Sequence, residues 1–259
     1  MKVAITGGTG FVGRKVTELL VQKGHHVYIL TRSPEKHIDS PNVTYVGWLR
    51  ADAFPEKELP AVHAIINLAG ESLFGYWTET KKQRILTSRI EATKAVLKLI
   101  RQMETKPKVL VNASAIGFYG TSKSNAFTEN TIQPGNDFLA KVTTEWERQA
   151  KEAKVDKVRT VFARFGMILG DEGALPLMAL PFKYGVGGKV GSGEQWMSWV
   201  HIKDVASSIV YCLVNNNISG PINITAPTPK RNKEFSDILA KVLHRPNWLP
   251  VPSPLFSLY

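Results

Sequence analysis

The chain has 259 residues, 43% of them hydrophobic, a length that can bury a substantial core as one domain or as a main domain with a lobe. It contains no apolar run near the roughly 20 residues that would span a bilayer, and its single cysteine, Cys212, excludes an internal disulfide framework and fits a reducing cytoplasm. The formal net charge of +11 comes from Lys and Arg residues scattered without a run of five or six, so it favours attraction of small anionic ligands over binding of nucleic acid.

The first thirteen residues predict a dinucleotide-binding loop. A short apolar strand, Val3 to Ile5, is followed by glycines at the spacing G-x-x-G-x-x-G and by an amphipathic helix from about Gly10 to Lys23. The glycines let the backbone approach a pyrophosphate, and the free N–H groups of the first helical turn can bind it. The alternative is a tight turn between strand and helix that holds no ligand. The predicted cofactor contacts of this loop are Gly7, Thr9, Gly10, Phe11, Val12 and Gly13.

The end of the second predicted strand, His26 to Leu30, indicates which nucleotide binds. Proteins that bind NAD place an Asp or Glu there for the ribose 2′-hydroxyl. This chain has Thr31, Arg32 and Ser33 instead, with no acid between His25 and Pro34. A guanidinium and a hydroxyl suit a 2′-phosphate, so we predict NADP, bound by Arg32 and Ser33. The alternative for Arg32 is a solvated loop arginine.

Alternation of strands and helices continues along the chain and predicts an α/β fold, a Rossmann doubly wound parallel sheet with a small loop-rich C-terminal substrate lobe. Glycines and prolines punctuate the segment from Gly166 to Gly193, which we expect to be loop-rich and part of that lobe. Asn232 is the predicted N-cap of the last helix. Further strands are predicted at 43–46, 64–68, 108–113, 158–162 and 221–225, and further helices at 78–104, 138–153, 202–214 and 232–243.

These elements predict a domain division and a location. Residues 1–165 form the NADP-binding Rossmann domain, to which 201–225 return, and 166–200 with 226–259 form the substrate lobe. The apolar stub after Pro254 resembles the entrance to a further helix, so we expect an incomplete C-terminus. Because the first strand begins almost at Met1, no signal peptide is expected and the predicted location is cytoplasmic.

Five motifs together resemble the extended short-chain dehydrogenase/reductase superfamily: TGGTGFVG at 6–13, NLAG at 67–70, FYG at 118–120, ARFG at 163–166 and WVHIKDVA at 199–206. Within it the chain is similar to the atypical branch of epimerase family proteins, on the residues NLAGE at 67–71, SR at 88–89, ASAIGFYG at 113–120, DFLAK at 137–141 and WE at 146–147. The resemblance implies an NADP-dependent enzyme of the epimerase or reductase type. Its substrate would be small and polar, such as a sugar nucleotide.

The resemblance also implies further cofactor contacts. Glu71 lies just after the fourth strand, at the carboxyl edge where open α/β sheets bind ligands. Arg89 falls where many extended members have Asn, and a fixed cation there can bind a cofactor phosphate or an anionic substrate. The implied contacts after the fourth strand and on the helices are Asn67, Leu68, Ala69, Gly70, Glu71, Arg89 and Lys141.

The catalytic pair departs from the family pattern. Extended members use Tyr-x-x-x-Lys on one helix, in which the ammonium lowers the pKa of the phenol and the tyrosine acts as general acid/base. Lys141 fits the lysine position, but Asp137 stands at the tyrosine position. Asp137 is therefore a candidate base, and the alternative is that it caps the following helix.

Two further residues are catalytic candidates. Ser114 is the candidate for the serine of the family, although the strict match is Ala115, and Tyr119 could supply a phenol or pack as a structural residue. No cluster of residues has the spacing of a metal site. We expect a small-molecule substrate, no membrane or nucleic-acid partner, and a homodimer if the helices flanking the sheet pair. Because the tyrosine is missing, the alternative function is a non-catalytic NADP-binding sensor or scaffold.

Overall fold

Short runs of apolar residues form the strands at the centre of the molecule. The computed structural model describes residues 1–250. Its strands are β1 (Lys2–Thr6), β2 (His26–Thr31), β3 (Val43–Gly47), β4 (Ala64–Asn67), β5 (Val109–Ala115), β6 (Arg159–Phe165), β7 (Met167–Leu169), β8 (Trp196–Met197), β9 (Trp199–His201), β10 (Gly220–Ile224) and β11 (Lys230–Arg231). Its helices are α1 (Phe11–Gln22), α2 (Pro55–Glu58), α3 (Glu79–Gln102), α4 (Phe138–Ala150), α5 (Ala174–Lys183), α6 (Ile202–Val214) and α7 (Asn232–Leu243).

Seven of these strands form one parallel sheet in the order β10-β6-β5-β4-β1-β2-β3. The chain starts in the middle of the sheet, runs to one edge, and then crosses back to build the other half, which is the doubly wound arrangement. The predicted fold is confirmed. Two small pairs, β7 with β9 and β8 with β11, lie outside the main sheet.

Helices cover both faces of the sheet because successive side chains of each strand point to opposite faces. Val3 and Ile5 of β1 pack in one hydrophobic cluster with residues of α1 and α6. Ala4, between them, packs in a second cluster with residues of α3. Cys212 is fully buried in the first cluster, as expected for a core residue of α6. Among the described helices none is long and apolar enough to cross a membrane.

The end of the sheet is built by the late part of the chain. β10 pairs in parallel with β6, with Ile224 beside Phe165, and α6 packs against α1 in the first cluster. Residues 202–224 are thus part of the sheet and its covering layer.

One local feature was missed and one was predicted wrongly. The loop-rich segment from Gly166 to Gly193 contains a helix that was not predicted, α5 (Ala174–Lys183), with Pro181 inside it. The apolar residues of α5 form a helix despite its two prolines. Pro176 stands in the first turn, where proline is tolerated.

The second error concerns the start of α7. Arg231 is the N-cap, and its backbone N–H donates to the carboxylate of Glu234 at 2.8 Å. Asn232 is already helical and buried, and its Oδ1 accepts the backbone N–H of Val190. Its side chain therefore ties α7 to the segment before β8, a long-range contact that the local sequence does not encode.

Candidate cofactor and active site

Two of the three glycines of the G-x-x-G-x-x-G motif, at the turn between β1 and α1, have no room for a side chain. A Cβ on Gly7 would lie 2.8 Å from the carbonyl of Leu68, and Gly7 has a φ of 67°. A Cβ on Gly13 would lie 2.2 Å from the carbonyl oxygen of Gly7. A Cβ on Gly10 would meet only that same oxygen, at 3.3 Å. Gly10 is exposed at the carboxyl edge of the sheet, so a ligand can approach the backbone there.

The N-terminus of α1 has unused donors. Gly10 is its N-cap and provides no side-chain acceptor, and the first turn contains no acidic residue. Within residues 1–250 no acceptor is found for the backbone N–H groups of Phe11, Val12 and Gly13. Three such donors at the positive end of a 12-residue helix form a site for a phosphate group. The loop and its donors thus fit the pyrophosphate of a dinucleotide.

The other predicted residues of this loop have different surroundings. The Phe11 ring lies against Gly170 and Gly173, whose Cβ positions would be 2.7 and 3.2 Å from it. Thr9 is exposed, and its carbonyl accepts a hydrogen bond from Arg14, which also pairs with Glu172. Phe11 therefore packs the substrate lobe against the glycine loop, and the charge of Arg14 is already balanced by a carboxylate.

Arg32 and Ser33 follow directly on the carboxyl end of β2. Arg32 is exposed and makes no ion pair or hydrogen bond with any residue between 1 and 250. Ser33 is half-buried, and its backbone N–H donates to Thr31 Oγ1 at 3.3 Å. The guanidinium and the hydroxyl both remain available for a ligand at this end of the sheet.

The predicted contacts after β4 divide into two groups. Asn67 is fully buried; its Oδ1 accepts the hydroxyl of Thr6 at 2.6 Å, and its Nδ2 donates to Thr93 and Asn112. It therefore joins β1, β5 and α3 and is closed to a ligand. Leu68, Ala69 and Gly70 are partly or fully exposed and lie on the glycine loop side.

Glu71 and Arg89 hold the loop after β4. Arg89 Nη1 donates to the carbonyls of Glu71 and Ile85, both at 3.0 Å, and its guanidinium lies 5.1 Å from the centre of the Trp146 ring. Burial lowers the pKa of Arg89 to about 10, an effect that the charge of Glu71 partly offsets. Glu71 accepts a hydrogen bond from Lys81 at 2.7 Å, which lowers the pKa of its carboxyl group. Arg89 is thus fixed against the loop after β4, and its Nε and Nη2 groups remain as hydrogen-bond donors.

Asp137 and Lys141 lie one turn apart at the start of α4, where the backbone N–H of Lys141 donates to the carbonyl of Asp137 at 3.1 Å. Asp137 is the exposed N-cap, and its Oδ1 accepts the backbone N–H of Ala140 at 2.9 Å. Its other oxygen is close to Gly120, whose Cβ position would be 3.5 Å away. Lys141 is exposed, and no acceptor for its ammonium group lies among residues 1–250. The cap explains why an acid stands where the family has tyrosine, and it leaves one carboxylate oxygen unused.

Ser114 and Tyr119 belong to a buried polar cluster that the sequence analysis did not predict. Ser114 donates to Glu147 Oε1 at 2.7 Å, and Glu147 accepts two hydrogen bonds of 2.8 Å from Arg164. Arg164 also donates to the Tyr119 hydroxyl, which in turn donates to Asn223 at 2.8 Å. Both hydroxyl groups therefore donate to acceptors within the protein. Ala115, the strict match to the family's serine, is the residue of β5 that is partly open.

Glu147 and Arg164 form the centre of this cluster. Their side chains are 9% and 4% exposed, and the Arg164 guanidinium lies 3.6 Å from the centre of the Phe118 ring. Burial alone would lower the pKa of Arg164, but the hydrogen bonds to Glu147 and Tyr119 outweigh it and raise that pKa. A signal was present in the sequence: Arg164 interrupts an apolar strand and Glu147 follows a buried tryptophan. A charge at either position requires a partner.

The described residues contain no group of three or more His, Cys, Asp or Glu side chains that could hold a metal ion. The candidate site combines backbone donors, the cations Arg32, Arg89 and Lys141, and the carboxylate of Asp137.

The chain is similar to a known protein family and to individual proteins. The model of the NAD dependent epimerase/dehydratase family matches residues 3–225. The chain is 50% identical over 257 residues to Epimerase family protein YfhF of Bacillus subtilis, covering 99% of this chain and 84% of that protein. It is 44% identical over 255 residues to an epimerase family protein of Staphylococcus haemolyticus, covering 98% and 84%.

Two solved structures are similar in fold. The human epimerase family protein SDR39U1 (isoform2) with NADPH superposes with a TM-score of 0.85 at 32% identity, covering 98% of this chain and 84% of that one. The UDP-glucuronic acid 4-epimerase of Bacillus cereus, in complex with UDP-glucuronic acid and NAD, has a TM-score of 0.81 at 18% identity, covering 97% and 87%.

Proposed function

The chain belongs to the NAD dependent epimerase/dehydratase family, and on that premise we propose that it binds NADP(H) along the carboxyl edge of its sheet and acts on a small polar substrate. The reaction is an oxidoreductase or epimerase step. A bound nicotinamide would supply the acceptor or donor of a hydride in such a step.

The observation that supports the proposal most is the glycine loop. A Cβ has no room at Gly7 or Gly13, Gly10 is open, and the first N–H groups of α1 are unused. This combination suits close approach of a pyrophosphate to the backbone. The human relative that contains NADPH is consistent with a nicotinamide dinucleotide as the ligand.

The choice of NADP over NAD is supported by charge. Arg32 is exposed and unpaired among the described residues, with the Ser33 hydroxyl beside it. A 2′-phosphate carries about −1.5 to −2 charges near neutral pH and has acceptor oxygens for both groups, as other phosphomonoesters do. A ribose 2′-hydroxyl would leave the guanidinium without an acceptor.

Two groups at the start of α4 would serve the reacting end of the cofactor. The Lys141 ammonium would donate hydrogen bonds to the nicotinamide ribose. Asp137 would hold or accept a proton with the carboxylate oxygen that the helix cap does not use. Ser114 and Tyr119 would act indirectly, since their hydroxyl groups are engaged in the buried cluster. Arg89 would bind an anionic group of the substrate or the cofactor with its remaining donors.

The same residues leave a second function open. The absence of a tyrosine before Lys141 favours an NADP-binding sensor or scaffold, because a carboxylate is a poor proton donor near neutral pH. The two functions differ in turnover and not in cofactor affinity.

Binding and turnover should therefore be measured separately. We expect NADPH to bind more tightly than NADH in calorimetry, and Arg32→Asp to abolish or reverse that preference. NADPH oxidation with a panel of carbonyl substrates should give a signal that Asp137→Asn removes without changing cofactor affinity. Equal affinities for NADPH and NADH in the parent would contradict the choice of cofactor, and tight NADPH binding without turnover on any substrate would favour the sensor.

A further inference from the structure

The end of β3 lies directly beside the end of β2, where Arg32 and Ser33 stand. Thr31 pairs with Gly47 in the parallel register, and the backbone N–H of Trp48 donates to the carbonyl of Thr31 at 2.9 Å. The chain after β3 then turns at Leu49, which has a φ of 55°. Arg50 follows this turn and is exposed. A second arginine is thus placed at the same edge of the sheet as Arg32.

Arg50 is paired with two carboxylates. Its Nε and Nη2 donate to the two oxygens of Asp52 at 2.9 and 2.6 Å, and its Nη1 donates to Glu35 at 3.1 Å. Glu35 lies only three residues after Arg32, in the short 3₁₀ turn Pro34–Lys36. The pairing raises the pKa of Arg50, chiefly through the hydrogen bonds to Asp52. The trio of Glu35, Arg50 and Asp52 carries a net charge of −1.

We propose that Arg50 determines specificity for the 2′-phosphate by offsetting one of the two negative charges of Glu35 and Asp52, without itself binding the phosphate. Without the guanidinium these two carboxylates would place a charge of −2 beside the residues that receive a dianionic group. With it, one negative charge remains in the trio, and the positive charge of Arg32 balances it. This inference rests on the proposed function, because it concerns how the same NADP site tells a phosphate from a hydroxyl.

The size of the effect follows from Coulomb's law. Neighbouring strands are about 4.8 Å apart, so we take roughly 10 Å, two strand spacings, between the trio and the phosphate. Removing one positive charge at that distance from a phosphate of two negative charges weakens binding about fourfold in water. The side chains of the trio are 37% to 68% exposed, so salt screens the interaction. The effect should be largest below about 0.02 M salt and small at about 0.5 M.

Four variants test the proposal by calorimetry with NADPH and NADH at low and high salt. Arg50→Gln leaves a charge of −2 and should weaken NADPH binding about fourfold at low salt while changing NADH binding less than twofold. Glu35→Gln makes the trio neutral and should strengthen NADPH binding. Glu35→Gln with Arg50→Gln restores the parent charge of −1 and should restore the parent affinity. Arg101→Gln breaks an ion pair with Asp156 near the C-terminal end of α3 and is the matched control, with no effect on either nucleotide.

The outcomes separate this inference from the proposed function. Suppose that the parent prefers NADPH. If Arg50→Gln then weakens the binding of NADPH and NADH equally, or leaves both affinities unchanged, Arg50 does not determine specificity. If the double variant binds NADPH as weakly as Arg50→Gln, Arg50 contacts the phosphate directly and neutralisation is refuted. If the parent itself does not prefer NADPH, the proposed choice of cofactor has failed.

Discussion

Replacing Glu147 by glutamine should destabilise the protein strongly. The substitution keeps the shape of the side chain but removes the charge that two hydrogen bonds of 2.8 Å connect to Arg164. It also changes the acceptor that Ser114 uses. The Arg164 guanidinium would remain buried, with only an amide oxygen and the Tyr119 hydroxyl as polar partners.

The magnitude follows from the burial of the pair. With side chains 4% and 9% exposed, removing one partner leaves an almost unsolvated charge, which costs about 3–5 kcal/mol. The glutamine amide can still accept a hydrogen bond, so we expect the lower end, about 3 kcal/mol. For a domain of this size, 1 kcal/mol corresponds to about 2–4 °C, so the Tm should fall by roughly 6–12 °C.

Urea unfolding followed by circular dichroism gives the free energy directly, and thermal unfolding gives the Tm. Arg148→Gln is the control, because it breaks an exposed ion pair with Glu145 and should leave the urea midpoint nearly unchanged. Combining Glu147→Leu with Arg164→Met should lower the free energy of unfolding by less than the sum of the two single changes, because the double variant leaves no unpaired charge in the core. A loss below about 1 kcal/mol for Glu147→Gln would refute the view that this pair is desolvated.

Three further predictions concern the loop, the helix and pH. Gly10→Val should abolish NADPH binding in calorimetry while the protein still folds, because Gly10 is exposed and its Cβ position meets a single atom, at 3.3 Å. Gly13→Ala should prevent folding, since its Cβ would lie 2.2 Å from a carbonyl oxygen. Unchanged affinity in Gly10→Val would place the ligand elsewhere. Lys141→Ala should weaken NADPH binding, and Asp137→Asn should not; the reverse pattern would contradict their proposed roles. Burial, and secondly the charge of the N-terminal ammonium, lower the pKa of His25, so the folded state binds fewer protons than the unfolded state, and stability should fall as pH falls below about 6.5. His25→Gln should reduce the change in urea midpoint between pH 7.5 and pH 5.5. An equal change in parent and variant would assign the effect to another group.

Local sequence patterns predicted the frame of the fold well. Hydrophobic periodicity and glycine spacing place β1, α1 and β2 within a residue or two of their predicted bounds, because each depends on contacts within one strand-helix unit. The helix Ile202–Val214 has its predicted bounds. α5 was missed because the glycines and prolines of the surrounding segment indicated loops, although the helix continues through Pro181 and buries Ala179 and Phe182.

The candidate site was predicted less fully, because its polar groups pair across long sequence distances. Ser114 and Glu147 are 33 residues apart, and Tyr119 and Asn223 are 104 apart. Nothing local to Ser114 indicates that its hydroxyl points toward α4. Asp137 is the contrary case: its position at the start of a helix predicted the cap, and the cap is present.

A crystal structure with NADPH would test the central claim most directly, that the carboxyl edge of this sheet is an NADP site. The account predicts the pyrophosphate on the backbone N–H groups of Phe11 to Gly13 and the 2′-phosphate within hydrogen-bond distance of Arg32 and Ser33. It also predicts the Lys141 ammonium on the nicotinamide ribose. A 2′-phosphate turned away from Arg32 into solvent, or a cofactor lying away from the glycine loop, would contradict it.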